Sequence, residues 1–384
     1  MAVGQVGSLL PHVAVPSTMP GFLIPEWGLS YGEAGLMASA YAIGYMLAAP
    51  VLTTLTDRLD GRRILILGSL INAAGAIGFG LLADGMASAM LLWALTGIGF
   101  AGSYMPGLKA LSDRLDPGES SRSLTFYTSA FSFGVGLSFL ACQLIADAFG
   151  WRWAFIVTGL APLIMTFVAW SLKPVTPAPR AGPLLDLAPA LRNRAALGYS
   201  FAYGAHCFEL YGLRTWLVAF WGFVAAGGGA PLGAVAVSAL VTILAMPASI
   251  LGNELALKLG RHRAVTVVML LSAAVALGIG FTAGFSPWLT LGLMFVYAFT
   301  VPGDSGALTS GMAAAADPRY RGASMAVHST VGFGLTAAGG WVIGVTLDLA
   351  GGVTQPGAWA SAYAVMALGA AMGPVCLWWS RRTP

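Results

Sequence analysis

Charge is scarce in this chain. Only 9% of its 384 residues are charged, and it holds four histidines and three cysteines, whereas about a quarter of a soluble domain is charged. That poverty, with 57% hydrophobic residues and a mean hydropathy of +0.79, excludes a water-soluble fold and implies an integral membrane protein. The cysteines, Cys142, Cys207 and Cys376, fall inside apolar stretches without motif spacing, which argues against a disulfide framework or a metal cluster. They read as packing residues. No H-E-x-x-H, G-x-S-x-G or phosphate-binding G-K-[ST] is present, so neither an enzyme nor a cofactor is expected. A channel would need a ring of like residues contributed by several subunits, and a receptor would normally carry soluble domains. No basic leader with a small-residue cleavage site precedes the first apolar stretch, which is expected to be retained.

Lysine and arginine are missing from alternate gaps between the apolar stretches. None occurs around Trp27 to Tyr31, Asp84 to Met86, Gly227 to Ala230, Gly284 to Pro287 or Ala350 to Gly357. All of them but Arg152 and Arg214 fall in the other gaps or at the C-terminus: Arg58, Arg62, Arg63; Lys109, Arg114, Arg122; Lys173, Arg180, Arg192, Arg194; Lys258, Arg261, Arg263; Arg319, Arg321; Arg381, Arg382. Short basic loops stay cytoplasmic, so this record orients an even number of spans with both termini inside. The expected location is a bacterial inner membrane, crossed many times. The isoelectric point near 9.0 reflects these scattered loops and not a nucleic-acid surface.

What the chain does have is twelve apolar stretches, each near the roughly 20 residues a bilayer core requires. They centre on Pro16, Gly44, Gly75, Gly99, Val135, Pro162, Leu210, Leu244, Ala274, Val301, Ala338 and Met366. The expected fold is an all-α membrane protein of twelve transmembrane helices in two pseudo-symmetric six-helix bundles, residues 1–173 and 195–384, joined by a proline-rich cytoplasmic linker over 174–194. Short matches at an offset near 200 residues support an internal repeat: Asp116-Pro117 with Asp317-Pro318, Phe133-Gly134 with Phe333-Gly334, Asp147 with Asp348, and His12 with His206. Such repeats mark transporter folds.

The loop after the second span, Leu55 to Arg63, resembles the Gly-x-Leu-x-Asp-Arg-x-Gly-Arg-Arg signature of the major facilitator superfamily through Leu55, Asp57, Arg58, Gly61, Arg62 and Arg63. Thr53 stands where the first glycine belongs, and one extra residue precedes Gly61. A worn copy, Gly252 to Arg263, carries Gly260 and Arg261 but has Ala256 in place of the aspartate. The resemblance implies a gating role for these residues. Asp57 would latch the cytoplasmic side through the N-terminus of the helix starting near Gly322, Ala323 and Ser324, because a carboxylate is stabilised at a helix N-terminus. Arg58, Arg62 and Arg63 would hold Asp57 and Asp113 by charge-assisted bonds; the alternative is that these cations only set topology.

Ionisable groups inside spans are site candidates by default. Glu209 and Arg214 lie in the seventh stretch, Asp304 in the tenth, and His12, His206 and His328 complete the set. At 1.5 Å per residue, His206 lies about 16 Å, Glu209 about 21 Å and Arg214 about 28 Å into the seventh helix. His206 and Glu209 share a face, while Arg214 points away unless the helix unwinds at Gly212. Asp304 and Glu209 are the expected proton-coupling residues, or else form a fixed pair with Arg214 or a histidine. Arg214, Tyr211, His206 and Tyr104 are the expected substrate contacts, with Arg214 alternatively snorkelling beside Trp216. His12 and His328 read as hydrogen-bonded interior residues. The seventh stretch faintly resembles cyanate-permease-like members of the superfamily. The function implied is a proton-coupled secondary transporter of a small solute, favouring a small anion, working as a monomer. The rival is efflux of lipophilic drugs, against which the fifth span lacks the glycine-proline motif of the family's drug antiporters.

Overall fold

The computed structural model describes residues 1–115, 120–177 and 186–381. Asp116-Pro117 of the repeat, the middle of the linker and Arg382 lie outside the described residues. The chain starts with α1 (Ala2–Leu9) and α2 (Ala14–Thr18), takes a π-helical turn at Met19–Leu23, and continues in α3 (Ile24–Trp27). Long rods follow: α4 (Tyr31–Leu55), α5 (Gly61–Leu82), α6 (Met86–Ser112) and α7 (Ser120–Phe149), then α8 (Trp151–Leu160) and α9 (Pro162–Ser171), which part at Pro162. After the short α10 (Ala188–Arg192) come α11 (Arg194–Ala226), α12 (Ala234–Ile243), α13 (Ala245–Leu259) and α14 (Arg261–Thr282). The chain ends with α15 (Pro287–Thr300), a 3-10 turn at Val301–Asp304, α16 (Ser305–Ala315), α17 (Arg321–Leu349) and α18 (Pro356–Arg381).

Among the described residues, ten of these helices, or pairs of them, are long and apolar enough to cross a membrane. The two remaining apolar stretches have local reasons to miss that measure. The first is cut into short pieces around its π-helical turn, where Pro20 cannot donate a backbone bond. The other, α11, is 33 residues long but buries His206, Glu209 and Arg214.

Packing divides the chain into two compact units. One holds Met1–Thr18 with Ala40–Asp186, the other Met19–Ser39 with Leu187–Pro384. The boundary therefore falls at the π-helical turn and again inside α4, so that Met19–Ser39 groups with the C-terminal helices, whereas the sequence reading drew one division along the linker. Within the first unit, α5 and α6 approach until a Cβ on Gly99 would collide with the Asn72 backbone, and the Asn72 amide donates to the Ser8 carbonyl at 3.0 Å.

The second unit contains a seam between the start of α4 and the end of α17. A Cβ on Gly344 would strike the Tyr31 carbonyl, Ser39 Oγ donates to the Ala337 carbonyl at 2.6 Å, and Trp216 Nε1 donates to the Gly340 carbonyl at 2.9 Å. The seam closes on Asp348, whose carboxylate accepts from Tyr31 N at 2.9 Å and Gly32 N at 2.7 Å. Ser30 N donates to Glu33 Oε2 at 2.9 Å and Glu33 N to Ser30 Oγ at 3.2 Å. The four amides from Ser30 to Glu33, which the helix cannot satisfy internally, thus all have acceptors.

Candidate functional site

The polar core of the second unit is built on α11, which runs unbroken through Gly212, where Ile343 and Met366 pack against the glycine. His206 and Glu209, one turn apart, face α14, α15 and the 3-10 turn, where Pro302 interrupts the tenth apolar stretch. Asp304 ends that turn. As the residue preceding α16 it makes no side-chain capping bond, and its Oδ1 instead lies 2.6 Å from His206 Nδ1, both side chains being 2% exposed. The approach is too oblique for a linear hydrogen bond, so the contact is electrostatic. Glu209 Oε1 accepts from Ser272 Oγ at 2.8 Å and from Tyr297 Oη at 2.9 Å. The structure therefore brings His206, Glu209 and Asp304 into one buried cluster.

Arg214 lies on a different face of α11. Its five-residue step from Glu209 turns it about 140° round the axis, toward Leu210, Leu213 and Leu217. It is 4% exposed and forms no ion pair among the described residues. Its guanidinium sits 5.4 Å from the Tyr211 ring centroid, a cation–π distance. Burial to this degree excludes the alternative in which Arg214 snorkels outward. Beyond the cluster, Tyr203 stacks on His328 at 4.1 Å and on His206 at 5.6 Å, and His328 Nδ1 lies 3.3 Å from Ser200 Oγ. Among the described residues no group of three His, Cys, Asp or Glu side chains is arranged to hold a metal.

Tyr104 belongs to the first unit and the other substrate candidates to the second. It stacks on Phe100 at 5.9 Å and Tyr127 at 6.4 Å. The same aromatic group takes in His12, whose Nδ1 is 3.0 Å from Tyr41 Oη.

The signature loop has a distinct arrangement. Asp57 is half-buried in the turn after α4, Arg58 and Arg63 are exposed, and Gly61 is buried against Ala110 and Pro106. Arg62 Nη1 donates to the Leu172 carbonyl at 2.9 Å, and Asp113 is held by Lys109 one turn earlier, in place of the arginine contact expected from sequence. The extra residue, Asp60, caps α5 by accepting from Arg62 N at 3.0 Å. It also takes Arg114 Nη2 at 2.7 and 2.9 Å and Val175 N at 2.9 Å, pinning the start of the linker. Burial alone would raise the Asp60 carboxyl, but Arg114 and the Val175 and Arg62 amides outweigh it and hold it below its ordinary value. In the worn copy, Gly260 joins α13 to α14 at φ +85°, a left-handed conformation that favours glycine, and Arg261 opens α14.

Ser272, Asp60 and Asp348 were not singled out for these contacts by sequence. A lone hydroxyl in an apolar helix such as Ser272 is a usable signal; the acceptor role of Asp348 is not legible without the fold.

A family model of the Major Facilitator Superfamily matches residues 1–340, and the chain belongs to that superfamily, whose members are multi-pass membrane transporters and not enzymes. It is 28% identical over 155 residues to the 4-hydroxybenzoate transporter PcaK of Pseudomonas putida, covering 38% of this chain and 34% of that protein. It is 32% identical over 149 residues to the D-galactonate transporter of Escherichia coli O6:H1, covering 38% and 33%. The chain thus spans about a third of the length of the curated relatives it matches. A crystal structure of a bacterial homologue of the human lysosomal transporter spinster, inward-facing and unoccupied, superposes with a TM-score of 0.73 at 18% identity, over 98% of this chain and 93% of that one. That likeness shows the fold: twelve helices in two bundles.

Proposed function

We propose that this chain is a proton-coupled secondary transporter of a small anion, working by alternating access in a bacterial inner membrane with both termini cytoplasmic. The observation that carries the anionic substrate is Arg214, a guanidinium buried without a carboxylate partner among the described residues. A desolvated cation is costly unless something compensates it. The 4-hydroxybenzoate and D-galactonate of the relatives' names are both carboxylates, which supports the same reading. Tyr211, under the guanidinium, orients the substrate, and His206 couples that region to the proton-bearing acids.

Asp304 and Glu209 are the proposed proton sites. Two carboxylates share one buried cluster with a histidine able to exchange charge with Asp304, so loading a proton changes the balance of charge that must cross the bilayer. Asp57 is proposed as a latch at the cytoplasmic side, with Arg58, Gly61, Arg62, Arg63, Gly260 and Arg261 shaping the two gating loops.

The test is stabilisation of the purified protein by 4-hydroxybenzoate, D-galactonate and related monocarboxylates, since a ligand that binds only the native state raises its melting temperature. Arg214→Gln is expected to weaken any such binding roughly ten- to a hundredfold. Unchanged affinity, or stabilisation by lipophilic cations alone, refutes the anion reading.

A further inference from the structure

Behind the acidic cluster, α11, α12, α13, α15 and the 3-10 turn enclose a crevice in the second unit. Its walls are Leu210, Leu213, Leu217, Val241, Ala245 and Val301, and the enclosed part takes a group about the size of one water molecule. Besides the Tyr297 phenol, whose hydroxyl donates to Glu209 Oε1 at 2.9 Å, two polar side chains line these apolar walls. One is Arg214. The other is Thr242, 2% exposed, whose Oγ1 is buried with no hydrogen-bond partner. Buried hydroxyls are seldom left unsatisfied, and here an unsatisfied one lines the same space as a cation that forms no ion pair among the described residues. Glu209 forms no ion pair with that cation among the described residues; its Oε1 accepts from Ser272 and from Tyr297, whose ring also lines the crevice.

We propose that this partly open crevice admits one atom of a monovalent anionic group, held by the Arg214 guanidinium and the Thr242 hydroxyl. The inference rests on the reading of Arg214 as an anion ligand and adds where the anion sits, its charge and its second contact. One buried positive charge balances one negative charge. A dianion would leave an uncompensated charge among leucine and valine side chains. The same chemistry serves a free inorganic monoanion and the carboxylate of a small organic acid.

The probe is trifluoroacetate, whose fluorine resonance broadens on binding to the full-length protein in detergent. Competition by thiocyanate and by acetate, but not by sulfate at matched ionic strength, is expected; displacement by acetate and not thiocyanate assigns the site to organic carboxylates, and the reverse to inorganic ions. Thr242→Val, close in volume, is expected to weaken binding roughly fivefold, while Thr242→Ser retains it. Three results overturn the proposal. Sulfate competing as well as acetate removes the charge selection. Loss on Arg214→Gln with Thr242→Val unchanged rejects the crevice yet leaves Arg214 as an anion ligand. Full binding in Arg214→Gln rejects both readings, and the crevice then holds water.

Discussion

If His206 and Asp304 are a pair, replacing either alone strands the other. Their nearest atoms are 2.6 Å apart with both side chains 2% exposed. Removing one member of a buried pair costs about 3–5 kcal/mol, whereas replacing both with apolar groups is often neutral. The oblique approach places this pair at the lower end, about 3 kcal/mol. On the soluble-protein scale of about 2.1 cal/mol/K per residue, a chain of 384 residues gains about 0.8 kcal/mol/K on unfolding, so each single variant should melt about 4 °C lower. The assay is thermal unfolding in detergent of His206→Leu, Asp304→Leu and the double variant. The double variant should lie within about 1–2 °C of the wild type, a coupling of several kcal/mol. Additive losses, with the double near 8 °C below, would show that the two groups do not depend on each other.

Two further predictions concern the ends of helices. Asp348→Ala removes the acceptor for Tyr31 N and Gly32 N; losing a helix cap costs about 1 kcal/mol and losing its charge about 0.3–1 kcal/mol more, so hydrogen exchange of those two amides should accelerate roughly tenfold, and unchanged exchange would mean Asp348 does not hold α4. Asp60 has its carboxyl held in the folded state below the ordinary aspartate value of 3.8, so its contribution is fully present above about pH 4 and disappears as the pH falls through the lower folded value. Protection of the Val175 amide should therefore drop in Asp60→Asn at pH 7 and converge with the wild type at low pH; equal protection at pH 7 would leave the linker contact without consequence.

The bilayer made most of the fold legible. Each crossing needs a fixed length of apolar chain, and the basic loops alternate, so twelve stretches can be counted without coordinates. The first stretch still hid a π-helical turn, and nothing in the apolar pattern indicated that Met19–Ser39 packs with the C-terminal helices; that follows from small residues and Asp348 contacting each other across some 300 residues of sequence. At the site, helical geometry correctly placed His206 and Glu209 on one face and turned Arg214 away. The His206 contact with Asp304 joins α11 to a turn nearly a hundred residues later, so sequence offered it only as one option among several. The Lys109 contact with Asp113 was readable from its spacing of one turn, yet the family signature drew attention to the arginines instead.

In the proposed mechanism, protons cross with the solute through the acidic cluster of the second unit. Its most direct test is proton movement in proteoliposomes loaded with a pH-sensitive dye, driven by an inward gradient of an anion shown to bind at Arg214. We expect the wild type to acidify the lumen, and Asp304→Asn to exchange the anion at a near-normal rate without moving protons. Acidification undiminished in Asp304→Asn, or loss of exchange and proton movement together, contradicts that role.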